Sequence, residues 1–151
     1  MPPLPSDLDS FTVKIFSCHY VCNQPVSIAS TKPDSQNVLL NQPIQTWQAK
    51  KIRDGVLRLS IGGYPFTGVD PDGNVTVFMH PEHDSDWYVT YQKDGYLIEL
   101  PSNRNKVWTA DFSDDSTNPR VRIVIKDRYK KDDDISKKTT QWFDFVDVVK
   151  E

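Results

Sequence analysis

The sequence predicts an all-β protein of three pseudo-equivalent repeats, and three observations carry that expectation. Helical periodicity is nearly absent over 151 residues. Period-two alternation recurs along the chain, and a Trp followed at a fixed distance by Asp-Gly returns. Trp47 precedes Asp54-Gly55, Trp87 precedes Asp94-Gly95, and Trp142 opens the last strand pattern. Asp9, Asp54 and Asp94 stand 45 and 40 residues apart. Three such units closed around one axis make a β-trefoil, whose barrel hides the strand edges that an open sheet would expose.

Each repeat reads as four strands, twelve in all. The first holds residues 11–18, 25–30, 37–40 and 46–52. Phe11-Thr12-Val13-Lys14-Ile15 alternates apolar and polar, as a half-buried strand should. The second holds residues 56–62, 64–69, 75–80 and 86–92, with Leu57-Arg58-Leu59-Ser60-Ile61 and Val75-Thr76-Val77-Phe78-Met79 as its clearest patterns. The third holds residues 96–100, 106–112, 120–126 and 141–148, including Val121-Arg122-Ile123-Val124-Ile125. These runs are rich in β-branched and aromatic residues, which suit a pleated surface. Between them lie Pro71-Asp72-Gly73-Asn74, Asp54-Gly55, Asp94-Gly95 and Gly62-Gly63-Tyr64-Pro65, all tight-turn chemistry. The first and last strands read as two halves of one junction. Trp47, Trp87 and Trp142 are expected at equivalent core positions, because aromatic burial dominates core energetics.

Composition limits the function classes. The length fits a single domain over residues 1–151, with residues 1–8 a flexible N-terminal segment. Charged residues are 26% and hydrophobic residues 37%, with a net charge of −3. No basic field exists to hold phosphates along a nucleic acid, and no apolar run is long enough to span a bilayer. The N-terminus lacks the features of a secretory leader, so a cytoplasmic, monomeric protein is expected. Cys18 and Cys22 could close a small loop around His19-Tyr20-Val21 or remain thiols, which a reducing cytosol favours. With no second ligand pair, they do not make a structural zinc site.

The motifs Trp47-x7-Gly55-x-Leu57-x-Leu59-Ser60-Ile61-Gly62-Gly63, Val77-Phe78-Met79, Asp86-Trp87-Tyr88-Val89, Gly95-Tyr96-x-Ile98-Glu99 and Trp142-Phe143-Asp144-Phe145-Val146 carry a resemblance. From about residue 44 onward the chain resembles the fungal β-trefoil peptidase inhibitors of the cospin and cnispin type. More distantly it is similar to the mycocypins. The resemblance implies a cytosolic fungal defence protein that blocks a trypsin-like serine peptidase through an exposed loop, commonly the one between the second and third strands. Mycocypin-type inhibitors act instead on cysteine peptidases through other loops.

A substrate-like inhibitor presents an extended loop whose main chain pairs with the cleft while one side chain fills the specificity pocket. A trypsin-like pocket holds a buried carboxylate and asks for Lys or Arg. In the loop over residues 30–37 the one cation is Lys32, flanked by Thr31, Pro33 and Asp34. Pro33 counts against Lys32, since it fixes φ and removes a backbone donor directly after the pocket residue. Arg104, between Asn103 and Asn105, competes with no proline beside it. Asn37, Asn103 and Asn105 are the residues an asparagine-specific peptidase would select. Residues 127–140 are expected as a solvated, mobile loop because of their mixed charge density.

Catalytic signatures are missing. No nucleophile elbow, phosphate loop or zinc-protease motif occurs, and no cofactor is implied. His80-Pro81-Glu82-His83-Asp84 reads as a polar turn. Asn74-Val75-Thr76 matches a glycosylation acceptor, which matters only on a secretory route. The rival class is a carbohydrate-binding trefoil, in which Gln-x-Trp recurs. Gln45-Thr46-Trp47 matches once, whereas Ser85-Asp86-Trp87 and Thr140-Gln141-Trp142 do not.

Overall fold

Alternating burial sets the strands, and turn glycines set where they reverse. The computed structural model describes residues 10–18, 24–29, 34–40, 43–80, 86–92, 95–111 and 121–147. The expected flexible segment 1–8, together with Thr31, Lys32, Pro33 and Cys22, lies outside the described residues. Eleven strands are regular among those described: β1 (Ser10–Ser17), β2 (Ser35–Asn37), β3 (Trp47–Arg53), β4 (Val56–Ser60), β5 (Phe66–Val69), β6 (Val75–Phe78), β7 (Trp87–Gln92), β8 (Gly95–Leu100), β9 (Asn103–Asp111), β10 (Arg122–Asp127) and β11 (Phe143–Asp147).

Six of these strands close a ring. β1 pairs with β11 and β3, β4 with β3 and β7, and β8 with β7 and β11, every pair antiparallel. No strand edge of the ring is left bare, which is how a barrel solves the edge problem. The remaining five strands supply the hairpins β5–β6 and β9–β10 and one arm, β2, of a third whose other arm is only the bridge at Ser27, and the three meet at one end of the ring. Their backbones bond across the axis: Val38 N–H donates to Val75 O, Ile123 N–H to Val38 O, and Ile125 N–H to Gly73 O. Val38, Val75 and Ile123 are all fully buried there. A six-stranded barrel capped by three hairpins is the β-trefoil that the repeats predict.

The turns follow their residues. Gly62 and Gly63, at φ 58° and 88°, make the two-residue link between Ile61 and Tyr64, where both central residues must take positive φ. At the β5–β6 turn, Asp70 Oδ1 accepts the N–H groups of Asp72 and Asn74 at 2.9 Å each. That local bonding is why Asp suits the first position of such a turn.

Register corrects the tryptophan assignment. Val13 sits opposite Trp47, Leu57 opposite Trp87, and Tyr96 opposite Phe143. The third core position is therefore Phe143, and Trp142 is half-buried beside it. Trp47 Nε1 donates to Val26 O and Trp87 Nε1 to Thr67 O, both at 2.8 Å. A phenylalanine cannot make the third such bond. Trp108 on β9 supplies the missing bulk. Its ring lies 6.2 Å from Trp47, 5.3 Å from Trp87 and 5.9 Å from Phe143, in the tilted and edge-to-face geometries that aromatic quadrupoles favour. Its Nε1 is buried and has no hydrogen-bond partner among the described residues.

Two further expectations change. The strand expected over residues 25–30 is reduced to isolated bridges at Pro25 and Ser27, since proline brings no N–H to a ladder. Residues 127–140 are locally folded rather than an open loop: a short helix α1 (Ile135–Lys138) runs into a 3₁₀ turn (Thr139–Gln141) whose residues are buried. Gln141 explains this order. Its Oε1 accepts Tyr129 N–H, and its Nε2 donates to Asp127 O and to Thr109 Oγ1. The amide ties the segment to the barrel with donors and acceptor all used.

Candidate functional site

The two sequence-derived loops end up in different situations. The first leaves the fold at Ile28 and returns at β2. Its feet are fixed by backbone bonds: Ser27 N–H donates to Leu39 O at 2.9 Å, and Leu39 N–H to Ser27 O at 2.8 Å. Ile28 N–H donates to Gln45 Oε1. Val26, Ile28 and Val38 anchor both feet in the core. Ala29 and Asp34, at the two ends of the intervening segment, are exposed. Thr31, Lys32 and Pro33 lie between them, outside the described residues.

The second candidate is not a loop. The reversal occupies Pro101 and Ser102, and Asn103, Arg104 and Asn105 already belong to β9. All three are exposed. Asn103 Oδ1 accepts Asn105 N–H at 3.2 Å, and Asn105 O accepts Arg128 N–H at 2.7 Å. Arg104 is committed to the protein itself. Its Nε donates to Glu99 Oε1 at 2.8 Å, and its guanidinium carbon lies 3.9 Å from the centre of the Tyr88 ring. The Glu99 side chain is 1% exposed, whereas that of Arg104 is 52% exposed. Thr90 Oγ1 donates to the other carboxylate oxygen at 2.8 Å. The hydrogen bond and charge of Glu99 hold the Arg104 guanidinium above its ordinary pKa, against a smaller opposing effect of burial. A buried carboxylate must be paired and hydrogen-bonded, and Arg104 does both. Sequence reasoning missed this role, although Glu99 inside an otherwise apolar strand, Tyr96-Leu97-Ile98-Glu99-Leu100, was the signal for it.

The lectin-like triplet is also structural. Trp47 is fully buried with its N–H spent on Val26 O, and Gln45 is spent on Ile28. Stacking on a sugar requires an exposed ring face, and Trp47 offers none. Asn74, of the acceptor triplet, is 9% exposed, and its Nδ2 donates to Asp70 Oδ2 at 3.2 Å. A glycan there would break the β5–β6 turn. Cys18 is half-buried, and its expected partner Cys22 is outside the described residues. Most of the His80–Asp84 turn is outside them as well; His80 itself is exposed.

No family model and no curated protein matches the chain by sequence. Solved structures do match by shape. A proteinase inhibitor from Coprinopsis cinerea superposes with a TM-score of 0.72 at 15% identity, covering 94% of this chain and 100% of its own. The designed threefold-symmetric protein ThreeFoil gives 0.69 at 16% identity, covering 91% and 99%. An earthworm lectin C-terminal domain, solved with 6'-sialyllactose, gives 0.64 at 13% identity, covering 91% and 99%. The chain thus has the β-trefoil fold, one that both an inhibitor and a lectin use.

Proposed function

We propose that this protein is a peptidase inhibitor that engages a trypsin-like serine peptidase through the segment between Ala29 and Asp34, with Lys32 as the residue that fills the pocket. The carrying observation is that the two feet of this segment are pinned by reciprocal backbone bonds between Ser27 and Leu39. Pinned feet reduce the ordering cost of docking, which lets a standard-sized contact bind tightly. The rival cation Arg104 is engaged by Glu99 and Tyr88, so withdrawing it into a peptidase pocket would leave a buried carboxylate unpaired. The similar shape of the Coprinopsis cinerea proteinase inhibitor is consistent with this reading.

The test is an inhibition panel of serine and cysteine peptidases. Lys32→Ala should abolish trypsin inhibition with near-ultraviolet dichroism unchanged, while Arg104→Ala should leave inhibition intact. A wild-type protein that leaves the whole panel untouched at micromolar concentration sinks the proposal. Specific glycan-array binding without inhibition would assign the protein to the lectins instead.

A further inference from the structure

Residues 127–142 build a second concave surface far in character from the inhibitory segment. Gln141 fixes its base through Tyr129, Asp127 and Thr109. Over it opens a cleft of about 480 Å³, lined by Arg128, Lys131 and Lys138, by the aromatic side chains Tyr129 and Trp142, and by Leu97 and Gln92. Small-molecule sites commonly have this size. Lys138 Nζ donates to Lys131 O at 2.6 Å, which holds its ammonium at the rim. None of the ion pairs formed among the described residues uses Arg128, Lys131 or Lys138. No described carboxylate lines the cleft.

Three cations facing one concavity repel one another, and in a chain of net charge −3 this local concentration is against the average. An anion placed among them relieves the repulsion and collects charge-assisted hydrogen bonds. The half-buried Trp142 and Tyr129 add apolar faces beside the charges, and such faces accept a flat ring. We propose that this cleft is a binding site for a small molecule that carries an oxyanion on a ring-shaped body. The site is independent of the peptidase reading, since the described residues that line it come from β7, β8 and residues 128–142.

Titration calorimetry at low ionic strength tests it with four probes: phenyl phosphate, phenyl β-glucuronide, neutral phenyl β-glucoside and inorganic phosphate. One of the two anionic ring compounds should bind saturably at sub-millimolar concentration, and whichever binds tighter tells a phosphate ester from an acidic sugar. The neutral glucoside and inorganic phosphate should each bind about tenfold weaker or worse, since each lacks one half of the recognition. Arg128→Gln and Lys131→Gln should weaken the anionic probe about tenfold, whereas Lys50→Gln, an exposed lysine on β3 outside the cleft, should not. If phenyl phosphate is preferred, its affinity should fall as pH drops through about 6, where the ester loses its second charge. Absence of saturable binding, equal binding of the neutral glucoside or of inorganic phosphate, or equal weakening by Lys50→Gln would each overturn the site.

Discussion

The guanidinium of Arg104 lies over the ring of Tyr88, 3.9 Å from its centre, and this stack joins two repeats. Tyr88 belongs to β7 and faces Glu99 of β8 across the ladder. The same Tyr88 ring closes over Gly55 at the β3–β4 turn. A turn glycine, a tyrosine, an arginine and a buried glutamate therefore form one continuous contact.

Removing Arg104 should cost stability and spare inhibition. Arg104→Ala leaves Glu99 buried with only Thr90 to bond it, so the melting temperature should fall. Arg104→Lys should recover little, because a lysine cannot keep both the fork geometry and the ring stack. The sign of the pH effect follows from the raised pKa of Arg104. Its contribution is present below its ordinary pKa and is lost only above the folded one. The loss on mutation should therefore be flat between about pH 7 and about pH 9. Thermal melts across that range check it.

The buried indoles of Trp47 and Trp108 should respond unequally. Trp47→Phe removes a donor and leaves Val26 O without it, adding about 1–3 kcal/mol to the packing loss. Trp108→Phe removes an N–H that has no hydrogen-bond partner among the described residues and should cost less. Trp108→Ala should cost about 3–5 kcal/mol, as a large cavity does. Urea unfolding of the three variants ranks them, and Trp108→Phe as the most damaging would contradict the bonding pattern.

Phe143→Trp restores sequence symmetry and should nevertheless destabilise by about 1–3 kcal/mol. Trp108 already occupies the space that a third indole would need. Combining it with Trp108→Val should recover part of the loss, and a double-mutant cycle measures that coupling.

Turn glycines separate by what stands near them. A Cβ on Gly55 (φ +79°) would come within 2.9 Å of the Tyr88 ring, whereas one on Gly63 (φ +88°) meets nothing within 4 Å. Gly63→Ala should cost only the left-handed backbone penalty, about 1–2 kcal/mol. Gly55→Ala should cost more and disturb the Arg104 stack. Equal losses on chemical denaturation would refute the contact.

The scaffold was readable because its signals are local. Alternation in Leu57-Arg58-Leu59 and the glycines of the turns state which side chains turn inward and where the chain reverses. The exchange of roles between Trp108 and Phe143 was not readable, because spacing cannot report which of two aromatic residues fills a shared volume. Nor was the order of residues 127–140. Charge density there suggested solvation, while one glutamine, Gln141, satisfies three backbone and hydroxyl groups from a distance in sequence. For the candidate site, the feet around Ala29 and Asp34 are held by the bridge between Ser27 and Leu39 rather than by the expected strand over residues 25–30, and the capture of Arg104 by Glu99 depends on cross-strand placement.

The seam between β1 and β11 has a consequence for biosynthesis. On the ribosome β11 is the last barrel stave to emerge, and until it arrives β1 keeps one unpaired flank, whereas β8 is already bonded by β7 and β9. Pairing the first strand with the last raises the mean sequence separation of contacts, which slows folding. A translation product cut short before Phe143 would carry a sticky flank along β1, open to strands from its neighbours.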